Sequence, residues 1–252
     1  MKRFLVLFFA IALLPASALA ADLGPPAYKA PPPPPPPPPS WTGFYGGAGF
    51  GYGMWNADTG LVFAPTGDPL TATVTNGGRG WLGTIKLGYD YQFSSIVAGA
   101  FADYNFSNVS GWLQTPTAIC PTCNVGGNEK ENSSWAVGGR VGWLVTPDIL
   151  SYWNGGYTEA HFDAINLVDQ AGFTPQGTIP GTTYHGWFLG GGVETRVTFL
   201  PISGLFFFTE YRYSTYNKDS FPSFTVPTTN ITIRPYTQTV VSGLTYKFNW
   251  TP

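Results

Sequence analysis

From residue 44 onward, large apolar side chains alternate with small or polar ones at a period of two, in eight separate stretches. That period belongs to strands with two unlike faces. The clearest stretch is RGWLGTIKLGYDYQF. Trp81, Gly83, Ile85, Leu87, Tyr89, Tyr91 and Phe93 share one face, and Leu82, Thr84, Lys86, Gly88, Asp90 and Gln92 the other. Further strands are predicted at 44–55, 96–106, 133–145 and 150–162, around Trp187 to Val197, at 205–216, and around Thr239 to Phe248. In the fifth of the eight, polarity does not tell the two faces apart. In the first, Gly47, Gly49, Gly51 and Gly53 alternate with Ala48, Phe50, Tyr52 and Met54. A phosphate-cradling glycine loop needs a strand before it and a helix after it. Here the nine prolines Pro31 to Pro39 precede it and a loop composition follows, so the glycines are assigned to one face of a strand.

The connections alternate as well. Long ones are expected at 56–78, 107–132, 163–183 and 217–233, and short ones at 94–95, 146–149 and 198–204. Outer-membrane barrels have long outer loops and tight periplasmic turns, and each stretch has the size a tilted strand needs to cross a bilayer. The predicted fold is therefore all-β, an eight-stranded antiparallel transmembrane β-barrel with both termini periplasmic. Trp41, Trp81, Trp135, Tyr236 and Trp250, near strand ends, are expected to form the interfacial girdles.

Composition supports this choice. Only 10% of the 252 residues are charged, less than half the share that usually covers a soluble domain, while 17% are aromatic. The one uninterrupted apolar run, Phe4 to Leu14, is too short for a membrane helix. Only helices and closed barrels satisfy every backbone group in hydrocarbon. A soluble lipocalin-type barrel would reverse the faces, with apolar residues inside and charges outside. The net charge of −2 argues against nucleic acid as a partner.

Residues 1–20 read as a signal peptide: Lys2 and Arg3, an apolar core, then Ala18-Leu19-Ala20, with cleavage expected between Ala20 and Ala21. Residues 21–40 form a proline-rich periplasmic arm without helix or strand propensity. Its nine prolines favour a polyproline II rod of about 28 Å, at about 3.1 Å per residue. Residues 41–252 are the barrel.

The charges fall on the minor face of the strands. Lys86, Asp90, Asp103, Arg140, Glu194, Arg196, Glu210, Arg212 and Lys247 are predicted to crowd the lumen as a mutually neutralising network, with Gly47, Gly49 and Gly51 supplying room. Such a network plugs the barrel; a narrow or gated pore is the competing reading. Cys120 and Cys123, in the second outer loop, are a candidate disulfide in an oxidising compartment. His161 and His185 lie near the outer rim, with Glu159 and Asp163 close to His161 in sequence. No positioned set of acid, base and nucleophile can be assembled, so no catalytic, metal or cofactor-binding residues are assigned and the chain is not read as an enzyme.

The segments SWTGFYGGAGFGYG, VGGRVGWLVTPDILSYWNGGY, GWFLGGGVETRV, TEYRYS and SGLTYKF, in this order, resemble the Omp25/Omp31-like family of alphaproteobacterial outer-membrane proteins, also called porin-family proteins. The resemblance covers nearly the whole chain after the prolines. It implies residence in the outer membrane of a Gram-negative bacterium, contact with lipid and lipopolysaccharide, and a structural role in envelope integrity. A narrow porin, or a barrel binding surface ligands through its four outer loops, is the alternative. Such proteins usually end at an aromatic thought to be read by the barrel-insertion machinery. Here four residues follow Phe248, and Tyr246, Phe248 and Trp250 share one parity as the candidate signal. Some similar barrels are joined to peptidoglycan through the α-amine of an Ala-Asp start, which makes Ala21-Asp22 a candidate attachment point.

Overall fold

The computed structural model describes residues 40–115, 125–169, 174–224 and 228–248, and contains no helix among them. The strands in chain order are β1 (Gly43–Phe63), β2 (Val74–Phe93), β3 (Ile96–Thr115), β4 (Val125–Thr146), β5 (Ile149–Phe162), β6 (Ile165–Asp169), β7 (Pro175–Ile179), β8 (Thr182–Arg196), β9 (Leu205–Tyr216), β10 (Asp219–Pro222) and β11 (Thr229–Lys247). Eight of them form a ring: β1 pairs with β2, β2 with β3, β3 with β4, β4 with β5, β5 with β8, β8 with β9, β9 with β11, and β11 with β1, all antiparallel. Each has a neighbour on both sides, so the ladder closes without an edge, the condition that hydrocarbon imposes.

Alternation decides which way each side chain points. On β2, Trp81, Ile85, Leu87, Tyr89, Tyr91 and Phe93 are exposed outward, while Leu82, Thr84, Lys86 and Asp90 are buried inside. At about 3.3 Å per residue and about 45° of tilt, Trp81 to Phe93 spans about 28 Å, the height of a hydrocarbon core. The fifth stretch is now resolved: Leu150, Tyr152, Asn154, Thr158, Ala160 and Phe162 point inward, and Trp153 and Tyr157 outward.

The long outer loops expected from the sequence are shorter than predicted, because the strands run on. β1 continues to Phe63, β2 starts at Val74, β3 reaches Thr115, β4 starts at Val125 and β11 at Thr229. In these extensions the period of two persists but its polarity inverts. Trp55, Ala57 and Leu61 face inward, while Asn56, Asp58 and Gly60 face out. On β4, Asn128 and Asn132 face out as well. The outer wall thus faces water, and its apolar side turns to the axis. The third and fourth outer connections carry further strands: β6 pairs with β4 and β7, and β10 with β11.

A register irregularity beside Asn132 switches the parity of β4. Glu129 and Glu131 point inward above it, and Ala136 and Arg140 below it. Apolar groups close both ends of the interior. The outer cluster includes Trp55, Leu113, Phe162, Ile165, Tyr184 and Ile233, and the periplasmic one Trp41, Val97, Leu150, Tyr152 and Phe206. Trp41 is therefore not a girdle residue. It is fully buried as a cork in the periplasmic mouth, its indole N–H donating to the Pro147 carbonyl at 3.1 Å and its ring 4.7 Å from that of Phe206. Trp81 and Trp135 do face outward.

Candidate functional site

Between the apolar ends lies a charged lattice built from inward positions of six strands. It divides into two groups, each with two cations and two anions. In the periplasmic-side group, Arg140 donates from Nε to Asp90 Oδ1 at 2.8 Å, from Nη2 to Asp90 Oδ2, and from Nη1 to Glu194 Oε2 at 3.2 Å. Lys247 Nζ donates to Asp90 Oδ2 at 2.9 Å and stands 3.6 Å from Glu194 Oε1. In the outer group, Arg212 donates to both Asp103 oxygens at 3.0 and 2.6 Å and to Glu210 Oε1 at 2.9 Å. Lys86 Nζ donates to Glu210 Oε2 at 3.0 Å. Tyr152 couples the groups, since its hydroxyl donates to Glu210 at 2.9 Å while its ring lies 5.1 Å from the Arg140 guanidinium carbon.

Aromatic rings line the cations. Lys86 sits 4.2 Å from the centre of Phe208, Arg212 lies 4.4 Å from Phe188, Arg140 4.3 Å from Tyr45 and Lys247 4.7 Å from Trp41. Ring faces are electronegative, so these contacts replace hydration lost on burial. All eight charged residues are buried. The space among Lys86, Asp103, Glu210 and Arg212 amounts to about 10 Å³, room for at most one water.

Eight of the nine residues predicted for the network thus meet in the lumen; Arg196 does not. It has lumen parity but ends β8, where its long side chain reaches the mouth and meets Asp148 at 3.4 Å, 27% exposed. The glycines of β1 also do something other than make room for charges. A Cβ on Gly49 would lie 2.8 Å from the Ser242 carbonyl oxygen and 3.0 Å from the Phe208 ring, and one on Gly47 would lie 2.8 Å from the Leu244 carbonyl oxygen. Bare backbone there lets β11 and Phe208 approach β1. The network's own room comes from glycines on other strands: the Asp90 carboxylate occupies the place of a Cβ at Gly99, and the Tyr45 ring that at Gly88.

At the outer rim Glu159 meets His185, not His161. His185 Nδ1 lies 2.9 Å from Glu159 Oε1, the Tyr157 hydroxyl donates to the same oxygen at 2.6 Å, and Trp135 Nε1 donates to Oε2 at 3.2 Å. His161 faces Thr183 at 3.0 Å, and Asp163 accepts from Asn132. No group of three metal-ligating side chains exists among the described residues. Tyr246 and Phe248 stack edge to face at 5.3 Å on the outward surface. Ala20, Ala21, Asp22, Cys120, Cys123 and Trp250 lie outside the described residues.

A closed ring with a lipid-height apolar belt, short turns at one end and a charge-filled interior defines an outer-membrane β-barrel protein, resident in the outer membrane of a Gram-negative bacterium and in contact with its lipid. Comparison with known proteins places it beside particular relatives. The chain is similar to the 31 kDa outer-membrane immunogenic proteins of Brucella melitensis biotype 1 and Brucella suis biovar 1, 26% identical to each over 243 residues, 94% of this chain and 96% of theirs. This agrees with the family resemblance carried by the strand segments. No protein-family model matches the chain. Among solved structures, Ail, the attachment invasion locus protein of Yersinia pestis, aligns at 11% identity over 81% of this chain and 99% of its own, with a TM-score of 0.37. The outer membrane protease OmpT of Escherichia coli aligns at 12% identity over 82% and 97%, with a TM-score of 0.43.

Proposed function

We propose that this protein is a structural, non-enzymatic barrel that stabilises the outer membrane and does not conduct. The observation that carries this reading is the filled lumen: two neutral ion clusters bridged by Tyr152 and sealed above and below by apolar side chains. An ion crossing it would have to break bonds between buried charges, each break leaving an uncompensated charge behind. Single-channel recording on the purified protein in planar bilayers tests this. Silence supports the structural role; steady conductance steps overturn it and favour the narrow-porin alternative.

The chemistry of the N-terminus supports a second element of the role. Cleavage after Ala20 would free the Ala21 amine beside Asp22, and the proline-rich composition of residues 21–40 favours a stiff arm that would present it at low entropic cost. Linked to peptidoglycan, that amine would make the barrel a load-bearing tie between membrane and wall. Muramidase digestion of sacculi followed by mass spectrometry should find a muropeptide on Ala21. Only free Ala21 amine, in cells rich in the protein, reduces the arm to a spacer. Tyr246 and Phe248 on the outward surface, with Trp250 of the same parity in sequence, would be what the insertion machinery reads.

A further inference from the structure

The outer apolar cluster contains a group that does not belong in it. Glu129, on the inward face of the outer part of β4, is 1% exposed, and among the described residues its Oε2 has no hydrogen-bond partner. Its cross-strand row runs Trp55, Gly78, Gly111, Glu129 over β1, β2, β3 and β4. The two central glycines leave the inner surface bare, and the Trp55 indole lies over Gly78. Trp55 Nε1 is itself fully buried and lacks a partner among the described residues. A buried donor and a buried acceptor therefore stand at the two ends of one cross-strand row whose middle positions are glycines.

Every element packed around this row contributes apolar or acidic groups. Tyr184 from β8 and Asp219 from β10 interact electrostatically, as do Glu129 and Tyr184. Glu131, two residues on, is also buried, accepts from Ser107 at 3.2 Å and acts on Tyr216 of β9. β1, β6, β7 and β11 present Trp55, Leu61, Ile165, Leu167, Ile179, Ile231 and Ile233. No cationic side chain among the described residues acts on Glu129. A charged carboxylate has no counterion here, whereas a protonated one fits.

We propose that Glu129 is a proton-operated latch of the outer mouth: uncharged, it lets the β6–β7 hairpin close over the apolar cup, and its ionisation releases that hairpin. Burial alone pushes its carboxyl up from 4.5 to about 8. The closed form thus binds the proton more tightly than an opened form with an ordinary carboxyl. Closure strengthens as pH falls from about 8 toward 4.5 and weakens as it rises through that window. The β6–β7 hairpin is the part that would move: among the described residues its pairing to the wall is limited to Val125 and Gly126 of β4, β7 pairs with β6, and further hold comes from the Asp163–Lys130 backbone bond at its root, the Phe224 ring beside Gly177 and the cluster itself. The latch is independent of conduction, since the charged lattice lies deeper.

Hydrogen exchange of the folded full chain in lipid, read by mass spectrometry over peptides covering 165–169 and 175–179 and corrected for intrinsic rates, tests it. Protection in this hairpin should fall about tenfold or more between pH 6.5 and pH 9. Glu129→Gln should hold protection level across the same range, and Glu129→Leu serves if the amide variant does not fold. Wild-type protection that does not change with pH overturns the latch whatever the variants do, as does a wild-type-like fall in Glu129→Gln.

Discussion

Arg212→Ala removes three donated bonds at once, two to Asp103 and one to Glu210. The two anions are not equally exposed to the loss. Glu210 keeps Lys86 at 3.0 Å and the Tyr152 hydroxyl at 2.9 Å, whereas Asp103 is left with the Asn105 amide at 3.4 Å. The cost therefore falls on Asp103. Breaking one partner from a buried pair costs about 3 to 5 kcal/mol. A Coulomb estimate for charges about 3 Å apart at an effective dielectric of about 20 gives about 5.5 kcal/mol, the same order. Against a typical stability of about 5 to 15 kcal/mol, that is a large fraction of the whole. The assay is urea unfolding of the lipid-embedded protein, followed by the mobility difference between folded and unfolded bands. Adding Asp103→Asn to Arg212→Ala removes the stranded charge and should recover most of the loss. Arg196→Ala, at the partly exposed rim, should cost less than about 1 kcal/mol. An Arg212→Ala midpoint equal to wild type, or a double variant no better than the single, would refute the buried-lattice reasoning and return the lumen to solvent.

Unboiled protein should migrate differently from boiled protein on electrophoresis, because a ladder without an edge resists detergent until heated; identical mobility counts against closure. Gly49→Ala should lower stability by about 1 to 3 kcal/mol through its clash with the Ser242 carbonyl. Gly83→Ala, whose nearest neighbour would be 3.9 Å away, should unfold with the wild type, and equal effects at the two sites would show that β1 and β11 are not in close approach. Trp41→Ala should cost about 3 to 5 kcal/mol in the same urea titration by uncorking the periplasmic mouth; a loss under 1 kcal/mol would make Trp41 a surface residue.

Much of the membrane part was legible in the sequence because two signals agree there. Apolar residues of one parity mark the lipid face, and charges of the other mark the lumen, as along Trp81 to Phe93. The fifth stretch resisted because Tyr152 and Trp153 are adjacent aromatics and Asn154-Gly155-Gly156 offers no contrast. The outer wall was missed for a different reason. Its alternation is intact, but a template demanding apolar residues outside stops at Trp55 and rejects Ala57 and Leu61, which face inward. Glu129 was hidden by the irregularity at Asn132: extrapolating the parity of Arg140 upward places it outside. Trp41 and Arg196 share one lesson, that parity fixes a side but not a height. A long side chain at a strand's end can fold into the mouth or reach out of it.

The inverted polarity of the outer wall also limits how the exposed half of this protein can vary among its relatives. Within β1 to β4 and β11, inserting or deleting a single residue would rotate Leu61, Leu113 or Ile231 into water and bring polar groups onto the apolar cup. Two-residue changes keep the faces but shift every pairing above them. Length polymorphism at the cell surface should then concentrate where the backbone leaves the ladder, as between Phe63 and Val74, while the wall beneath changes by substitution alone. An outside observer, such as an antibody, would meet a rigid collar of fixed height carrying a few replaceable tips.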